Sequence, residues 1–321
     1  MNDRDVPHTP QQPVGRSDGD RWVVGVDGSE CSRHAALWAA AHVSGRASEL
    51  QLAASWNVPV SSGMIPMSTL TSSASFDALE DSAQAAVDDV ARKLRTPVEV
   101  PITRSVGHGG AAACLLDTAD RGALLVVGSR GLGGFARLLL GSTSTQCATH
   151  SSVPVAVIPS TSPITPAVSI VVAFDGSANS IAALTWANKF AAPGSTIDCV
   201  LVWDTSPITA GGGQFFFPDA TDLAEERFEH LVMRTIRPIQ RDGIEIRRTF
   251  VNGRPRSTLA EFAQASDILV MGARGHGAVA SVVLGSVSTW LLHHATRPMV
   301  VVPPPIEDCV DPMPEPAGRD D

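Results

Sequence analysis

What this chain of 321 residues lacks narrows what it can be. No apolar run approaches the roughly 18–20 residues that a membrane span requires. The opening stretch MNDRDVPHTP is charged and proline-bearing, without the apolar centre of a secretory signal. Cysteine is scarce: Cys31, Cys114, Cys147, Cys199 and Cys309 are odd in number, scattered and free of CxxC pairs. That speaks against a disulfide framework and for a reduced, cytoplasmic protein. Basic side chains are outnumbered, 24 Lys and Arg against 33 Asp and Glu, giving a net charge of −9. Such a balance argues against non-specific binding to nucleic acid or anionic membranes. It does not forbid an anionic nucleotide, because backbone N–H groups supply local positive potential.

Several catalytic signatures are missing as well. There is no GxxxxGK[ST], hence no P-loop lysine, no GxGxxG after the first strand of either half and no GxSxG elbow. His293-His294 sits on a predicted helix with no Asp, Glu or Cys at ligand spacing, so no metal site is expected.

The sequence does contain a duplication. Leu124–Thr145, LLVVGSRGLGGFARLLLGSTST, has a near-copy in Ile268–Thr289, ILVMGARGHGAVASVVLGSVST. Each begins as a buried strand and breaks into glycine with one spacing, Gly128-x2-Gly131-x9-Gly141-Ser142 and Gly272-x2-Gly275-x9-Gly285-Ser286. Glycine lets N–H groups approach a polyphosphate and tolerates positive φ. A Gly-Ser step opening a helix adds a cap hydroxyl, free N–H groups and the positive dipole end.

Around these loops the periodicity gives β-α-β-α-β-α-β-α-β twice. In the first half, strands are predicted at Trp22–Val26, Leu50–Trp56, Val98–Val106, Ala123–Val127 and Val153–Ile158. Helices follow Ser29 and span Phe76–Arg95, Ala111–Ala119 and Ser142–His150. The second half predicts strands at Ile170–Phe174, Thr196–Trp203, Ile244–Val251, Asp267–Met271 and Met299–Val302. Its long helix, Leu223–Gln240, is expected to be disrupted near Pro238. Asp27-Gly28-Ser29 and Asp175-Gly176-Ser177 close the first strand of each half. Asn57–Ser75 and Ser206–Pro218 read as loops or lids, the second carrying Phe215-Phe216-Phe217, a hydrophobic lid or an oligomer contact. The predicted organisation is a disordered tail over 1–20, domains over 21–159 and 168–303, a linker over 160–167 and an acidic, proline-rich tail over 304–321.

In an open parallel sheet, ligands sit beyond the carboxyl ends of the strands where strand order reverses. Asp27, Trp56 and Gly128 fall at such ends, as do Asp175, Trp203 and Gly272. An acidic side chain there can accept from a ribose hydroxyl or an adenine amine, the chain after the second strand can wall the base, and the glycine loop can hold phosphates. Nucleotide contact is preferred for Asp27 and Asp175 over the alternative of ordinary helix caps, and Trp56 and Trp203 read as core aromatics grazing a pocket ahead of base-stacking platforms. Arg130, Arg274 and His276 read as phosphate contacts or as solvated charges. Cys31 reads as a small buried residue or as a thiol activated at a helix start.

DGS after the first strand, with Gly-x2-Gly-x9-Gly-Ser after the fourth, resembles the universal stress protein family in its tandem form and ATP-binding branch. The resemblance covers about residues 21–159 and 168–303. It implies two tandem open parallel five-stranded sheets flanked by helices, Rossmann-like and adenine nucleotide alpha hydrolase-like. By that likeness Asp27 and Asp175 contact adenosine. Gly128, Gly131, Gly141, Ser142 and Thr143 line the phosphate side of the first site. Gly272, Gly275, Gly285, Ser286 and Val287 do so in the second. ATP is the implied ligand, with Mg2+ as a companion of its phosphates, although no dedicated carboxylate pair is visible. Pairing through the last strand is common in the family, which suggests a pseudo-dimer of the halves, and a homodimer with a further protein partner is expected. Two positions depart from the family pattern. Gly107-His108-Gly109 replaces the Gly-x-Pro kept as Gly253-Arg254-Pro255, and Ala123 stands opposite Asp267. Function by binding, as a stress or growth regulator, is the expected class. The alternatives are a slow ATPase or nucleotidyl-transferring enzyme and a scaffold with relic sites.

Overall fold

The computed structural model describes residues 21–57, 73–94, 98–120, 122–132, 140–204, 208–210, 213–215, 219–275 and 284–304. The first half runs β1 (Arg21–Gly25), α1 (Glu30–His42), β2 (Glu49–Trp56), α2 (Ser73–Lys93), β3 (Ile102–His108), α3 (Ala111–Ala119), β4 (Leu124–Gly128), α4 (Ser142–His150) and β5 (Val155–Ile158). The second runs β6 (Ser169–Ala173), α5 (Ala178–Phe190), β7 (Thr196–Trp203), β8 (Ile208–Ala210), β9 (Gly213–Phe215), α6 (Asp219–Ile236), β10 (Glu245–Asn252), α7 (Pro255–Gln264), β11 (Ile268–Gly272), α8 (Ser286–His294) and β12 (Met299–Val302).

Strands β4, β5, β11 and β12 are buried along their whole length, as continuous apolar runs must be when helices cover both faces. Within each half the strands are parallel, in the order β3-β2-β1-β4-β5 and β10-β7-β6-β11-β12. The halves join antiparallel through their last strands, Val155↔Val301, Ala156↔Val300 and Val157↔Met299, into one ten-stranded sheet. The pseudo-dimer suggested by resemblance is thus present within the chain. One core lies on the α1, α2, α5 and α6 face, with Trp38, Leu50, Ile170 and Leu184 fully buried. The other lies on the α3, α4, α7 and α8 face, around Leu125, Val155, Leu269 and Met299.

Several predicted stretches differ from the observed elements, helices α2 and α6 starting three and four residues early. The edge strand β3 starts at Ile102 rather than Val98, because Pro101 has no N–H to offer the ladder and instead accepts from Leu50 N through its carbonyl, 3.0 Å. Ser206–Pro218 is not wholly loop: β8 and β9 pair antiparallel as a hairpin, Ile208↔Phe215 to Ala210↔Gly213. Of the first lid, Asn57–Ser75, residues 73–75 already belong to α2, and 58–72 lie outside the described residues, as do the rest of the second lid, residues 1–20 and 305–321, and His276. Helix α6 ends at Ile236, two residues before Pro238.

The linker is packed. Ser162 and Ala167 are buried, and each bonds to a histidine of α1: Ser162 O lies 2.7 Å from His34 Nε2, and Ala167 N donates to His42 Nε2 at 3.0 Å. With Nε2 accepting, the His42 proton sits on Nδ1 and is donated to Trp38 O at 2.7 Å. The ring stacks on Trp38 at 4.2 Å and faces Phe190 of α5 at 6.0 Å, where Arg46 covers Phe190 and donates to its carbonyl. Burial drives the His42 pKa from 6.5 down to about 4, reinforced by Arg46 and opposed by the Trp38 carbonyl and Asp267. The folded protein therefore binds fewer protons here than the unfolded chain between those two values. The stabilisation is complete above pH 6.5 and is lost as pH falls toward 4. It is on the order of 3 kcal/mol. Urea unfolding of wild type and His42→Gln at stepped pH checks it: the wild-type midpoint drops across this interval, and the variant shows a shallower fall.

Candidate functional site

Each half builds its site from three sequence features. The first is the DGS turn. Gly28 and Gly176 adopt φ of 82° and 83°, which turns the chain from strand into helix and leaves the preceding carboxylate in the crevice. Ser29 Oγ then caps α1 by accepting from Ser32 N at 3.1 Å, and Ser177 Oγ caps α5 from Ser180 N at 3.2 Å. The Asp is therefore not the cap. Asp27 Oδ1 accepts from Ser29 N at 2.9 Å and Asp175 Oδ1 from Ser177 N at 2.9 Å. Asp27 Oδ2 accepts from the Leu132 N–H at 3.1 Å, which ties the turn to the glycine loop. Burial works to raise the Asp27 pKa, but the hydrogen bonds from Ser29, Ser32 and Leu132 outweigh it and hold the carboxyl below its ordinary value.

The second feature is the glycine spacing, and its physical reason differs from the one the sequence suggests. None of Gly128, Gly131, Gly141, Gly272, Gly275 and Gly285 has a positive φ; at the first two of each set it is a close neighbour that a Cβ would meet, backbone at the first and a movable carboxylate at the second. A Cβ on Gly128 would lie 2.7 Å from the Cys31 carbonyl carbon, and one on Gly272 2.8 Å from that of Asn179, where the first turn of α1 or α5 crosses the strand end. A Cβ on Gly131 would lie 2.5 Å from Asp27 Oδ2, and one on Gly275 2.5 Å from Asp175 Oδ2. The first glycine admits a helix; the second admits a carboxylate. Cys31 is buried behind Gly128 as a packing residue.

The third feature is the start of α4 and α8. Here Gly141 and Gly285 are the N-caps, and neither helix has a side-chain cap bond. Ser142 and Ser286, expected to supply a cap hydroxyl, instead occupy the first helical position, where their hydroxyls lie past the point from which a cap reaches back. The first-turn N–H groups accordingly point outward with the positive end of the helix dipole. Behind them Ser144 Oγ donates to Gly128 O at 2.6 Å and Ser288 Oγ to Gly272 O at 3.2 Å, pinning each helix to its strand.

These parts enclose two cavities, of about 480 Å³ in the first half and about 430 Å³ in the second. Both volumes fall within the usual span of small-molecule sites. Each lies at the carboxyl ends of its strands where the order reverses, between β1 and β4 or between β6 and β11. Asp27, Gly128, Gly131, Gly141, Ser142 and Thr143 line the first; Asp175, Gly272, Gly275, Gly285, Ser286 and Val287 line the second. Arg130 and Arg274 line them too, and Arg274 Nε is buried with no hydrogen-bond partner among the described residues.

The wall expected from the chain after the second strand begins within the strand itself. Strand β2 continues past the end of β1: Val26 N donates to Ala53 O at 2.8 Å, and beyond that bond β1 turns away. Backbone polar groups alternate sides along a strand. Trp56 O faces β3, accepting from Gly109 N at 2.9 Å, so the Ser55 N–H and C=O face the crevice. Val202 holds the same place, between Val200 O, which accepts from Phe174 N, and Trp203 O, which accepts from Gly253 N. Side chains alternate as well, and this favours the core reading of the tryptophans over the stacking one. Trp56 and Trp203 do not line the cavities; Trp56 points to the opposite face from Ser55 and packs on His108 and Phe76 at 4.4 and 6.2 Å. The signal of this early start was β2's length relative to β1, which is legible only once pairing is known.

Elsewhere, His294 stacks on Trp290 at 4.0 Å and lies against its carbonyl, and no group of three metal-ligating side chains occurs among the described residues. No helix of the described residues is long and apolar enough to cross a membrane.

A doubly wound α/β protein with a glycine-walled cavity at each of two strand-order reversals is the class that this fold and site define. The sequence model of the Universal stress protein family matches residues 20–159 and 169–303, and the chain belongs to that family. It is 29% identical over 310 residues to a universal stress protein of Mycobacterium tuberculosis (strain ATCC 25618 / H37Rv), covering 90% of this chain and 96% of that one. It is 27% identical over 295 residues to one of Mycolicibacterium smegmatis (strain ATCC 700084 / mc(2)155), covering 88% and 96%. Among solved structures, a universal stress protein from Archaeoglobus fulgidus DSM 4304 shares the fold at a TM-score of 0.61 and 19% identity, over 88% of this chain and 96% of that one.

Proposed function

We propose that the protein is a nucleotide-responsive regulator that binds ATP in both halves and acts by binding rather than by catalysis. The observation that carries this reading is the uncapped glycine start of α4 and α8, opening onto a cavity beside an acidic side chain. Such a helix start lacks a side-chain acceptor of its own, and an oligophosphate supplies one. Gly141, Ser142 and Thr143, with Gly285, Ser286 and Val287, hold the phosphates, and Gly131 and Gly275 leave them room. The free backbone edges at Ser55 and Val202 each offer one donor and one acceptor to the rim of a base. Asp27 and Asp175 face the ribose while they position the loop. Mg2+, where it accompanies the ligand, is carried by the phosphates. Binding in two domains, over 21–159 and 168–303, by a cytoplasmic protein that pairs with a second copy and with a further protein partner completes the proposal.

Catalysis would need a base free to activate water, whereas the Asp27 carboxylate already accepts two backbone N–H groups. The deciding measurement is mass spectrometry of nucleotide released on denaturing the freshly purified protein, followed by calorimetric titration of the stripped chain with ATP. Adenine nucleotide in the extract and saturable binding are expected. Absence of both refutes the reading, and product from labelled ATP within minutes of a single turnover would favour the enzyme instead.

A further inference from the structure

The two cavities share one plan but not one wall. Gly109 N and Gly253 N each donate to the carbonyl that ends the second strand of their half, both at 2.9 Å, so the structure sets Ala111, not Gly109, opposite Pro255. On the face covered by α3 and α7, equivalent positions carry Gly25 and Ala173, Ala53 and Val200, Ser55 and Val202, Ala111 and Pro255, Val127 and Met271. In every pair the second half has the larger side chain, and at Ser55 it exchanges a hydroxyl for a methyl. The cavities are of similar volume, about 480 and about 430 Å³, and differ in the character of this wall. These positions surround the backbone edge at the end of β2 and β7, away from the phosphate end. Among the described lining residues at the phosphate ends, Thr143 stands against Val287.

We infer that the cavities are graded, the second holding an adenine nucleotide more tightly than the first. This rests on the ATP reading above. The base is flat and largely apolar on its faces, so affinity follows how completely the wall closes on it. Val200, Val202 and Met271 supply branched and thioether surface where the first half leaves space beside a serine hydroxyl, which keeps water against the ligand. Thr143 works the other way, adding one hydroxyl to the first phosphate end, but a single neutral hydrogen bond exposed to solvent is outweighed by several buried methyl and methylene contacts. The graded pair gives one chain two thresholds: half-loaded at low nucleotide and fully loaded only at higher concentration.

Ser142→Asp and Ser286→Asp isolate the cups in the full-length chain. An acidic side chain at the first helical position favours the helix and repels phosphate. In calorimetric titration with ATP, the Ser142→Asp protein, with the second cup open, is expected to bind at least about tenfold more tightly than the Ser286→Asp protein. Adding Ala53→Val and Ser55→Val to the Ser286→Asp protein should narrow the gap; adding Val200→Ala and Val202→Ser to the Ser142→Asp protein should narrow it from the other side. Where one pair of wall exchanges fails to fold, the other decides. Equal affinities, or tighter binding in the first cup, overturn the grading and leave the ATP reading intact. No ATP binding by the wild-type chain removes both.

Discussion

Gly131→Val combined with Gly275→Val is expected to lower ATP affinity by at least about 100-fold, read by calorimetric titration. A Cβ at either position falls 2.5 Å from the neighbouring aspartate oxygen, so the carboxylate must swing away. In the first half it surrenders the Leu132 N–H and loosens the loop. The branched side chain then occupies the space through which phosphate approaches the start of α4. Charge-assisted hydrogen bonds are worth about 1.5–3 kcal/mol each, and each 1.4 kcal/mol is tenfold in affinity, so losing two per site suffices. Stability should change little, because Gly131 and Gly275 are exposed and the aspartate can relax into solvent. An unaltered titration curve would show that the ligand, if any, is held elsewhere.

Gly128→Ala should do the reverse, costing fold more than ligand. Its Cβ would meet the Cys31 carbonyl carbon, oxygen and Cβ at 2.7, 2.9 and 3.0 Å, and two of these are backbone atoms that no rotamer change moves. Helix α1 would have to lift off β4, while β4 stays fixed by its ladders to β1 and β5. Overpacking of this kind costs about 1–3 kcal/mol, and Gly272→Ala should match it against Asn179. Urea unfolding midpoints check both variants, and a midpoint unchanged in either would mean that the helix slides along the strand without penalty. The contrast between Gly128 and Gly131, three residues apart, separates the glycine that packs a helix from the one that packs a carboxylate and, on the proposed function, admits the phosphates.

Much of this was legible in the sequence for physical reasons. The DGS turns, the doubled glycine spacing and the helices Ala111–Ala119 and Ser142–His150 are local features, set by caps and φ preferences acting over a few residues. Buried parallel strands announce themselves as apolar runs. The roles of individual groups were less legible, because they depend on what lies opposite. Gly128 lines the cavity, but that it must be glycine is explained only once Cys31 is seen against it, and Ser142 reads as a cap until Gly141 takes that place. Trp56 sits at the correct strand end but on the wrong face, since one residue along a strand reverses the side. The hairpin β8–β9 hid in a glycine-rich stretch whose pattern is too short to have a period.

The antiparallel join of β5 to β12 has a consequence for concentration. Two separate single-domain copies would hold such a seam only by mass action, and dilution would part them. Here both edges belong to one polypeptide and the connecting segment is anchored to α1 at His34 and His42. The seam is therefore as intact in a dilute sample as in a crowded cell, and neither half can trade its mate for another. That permanence frees the two halves to diverge, because each always meets the same neighbour.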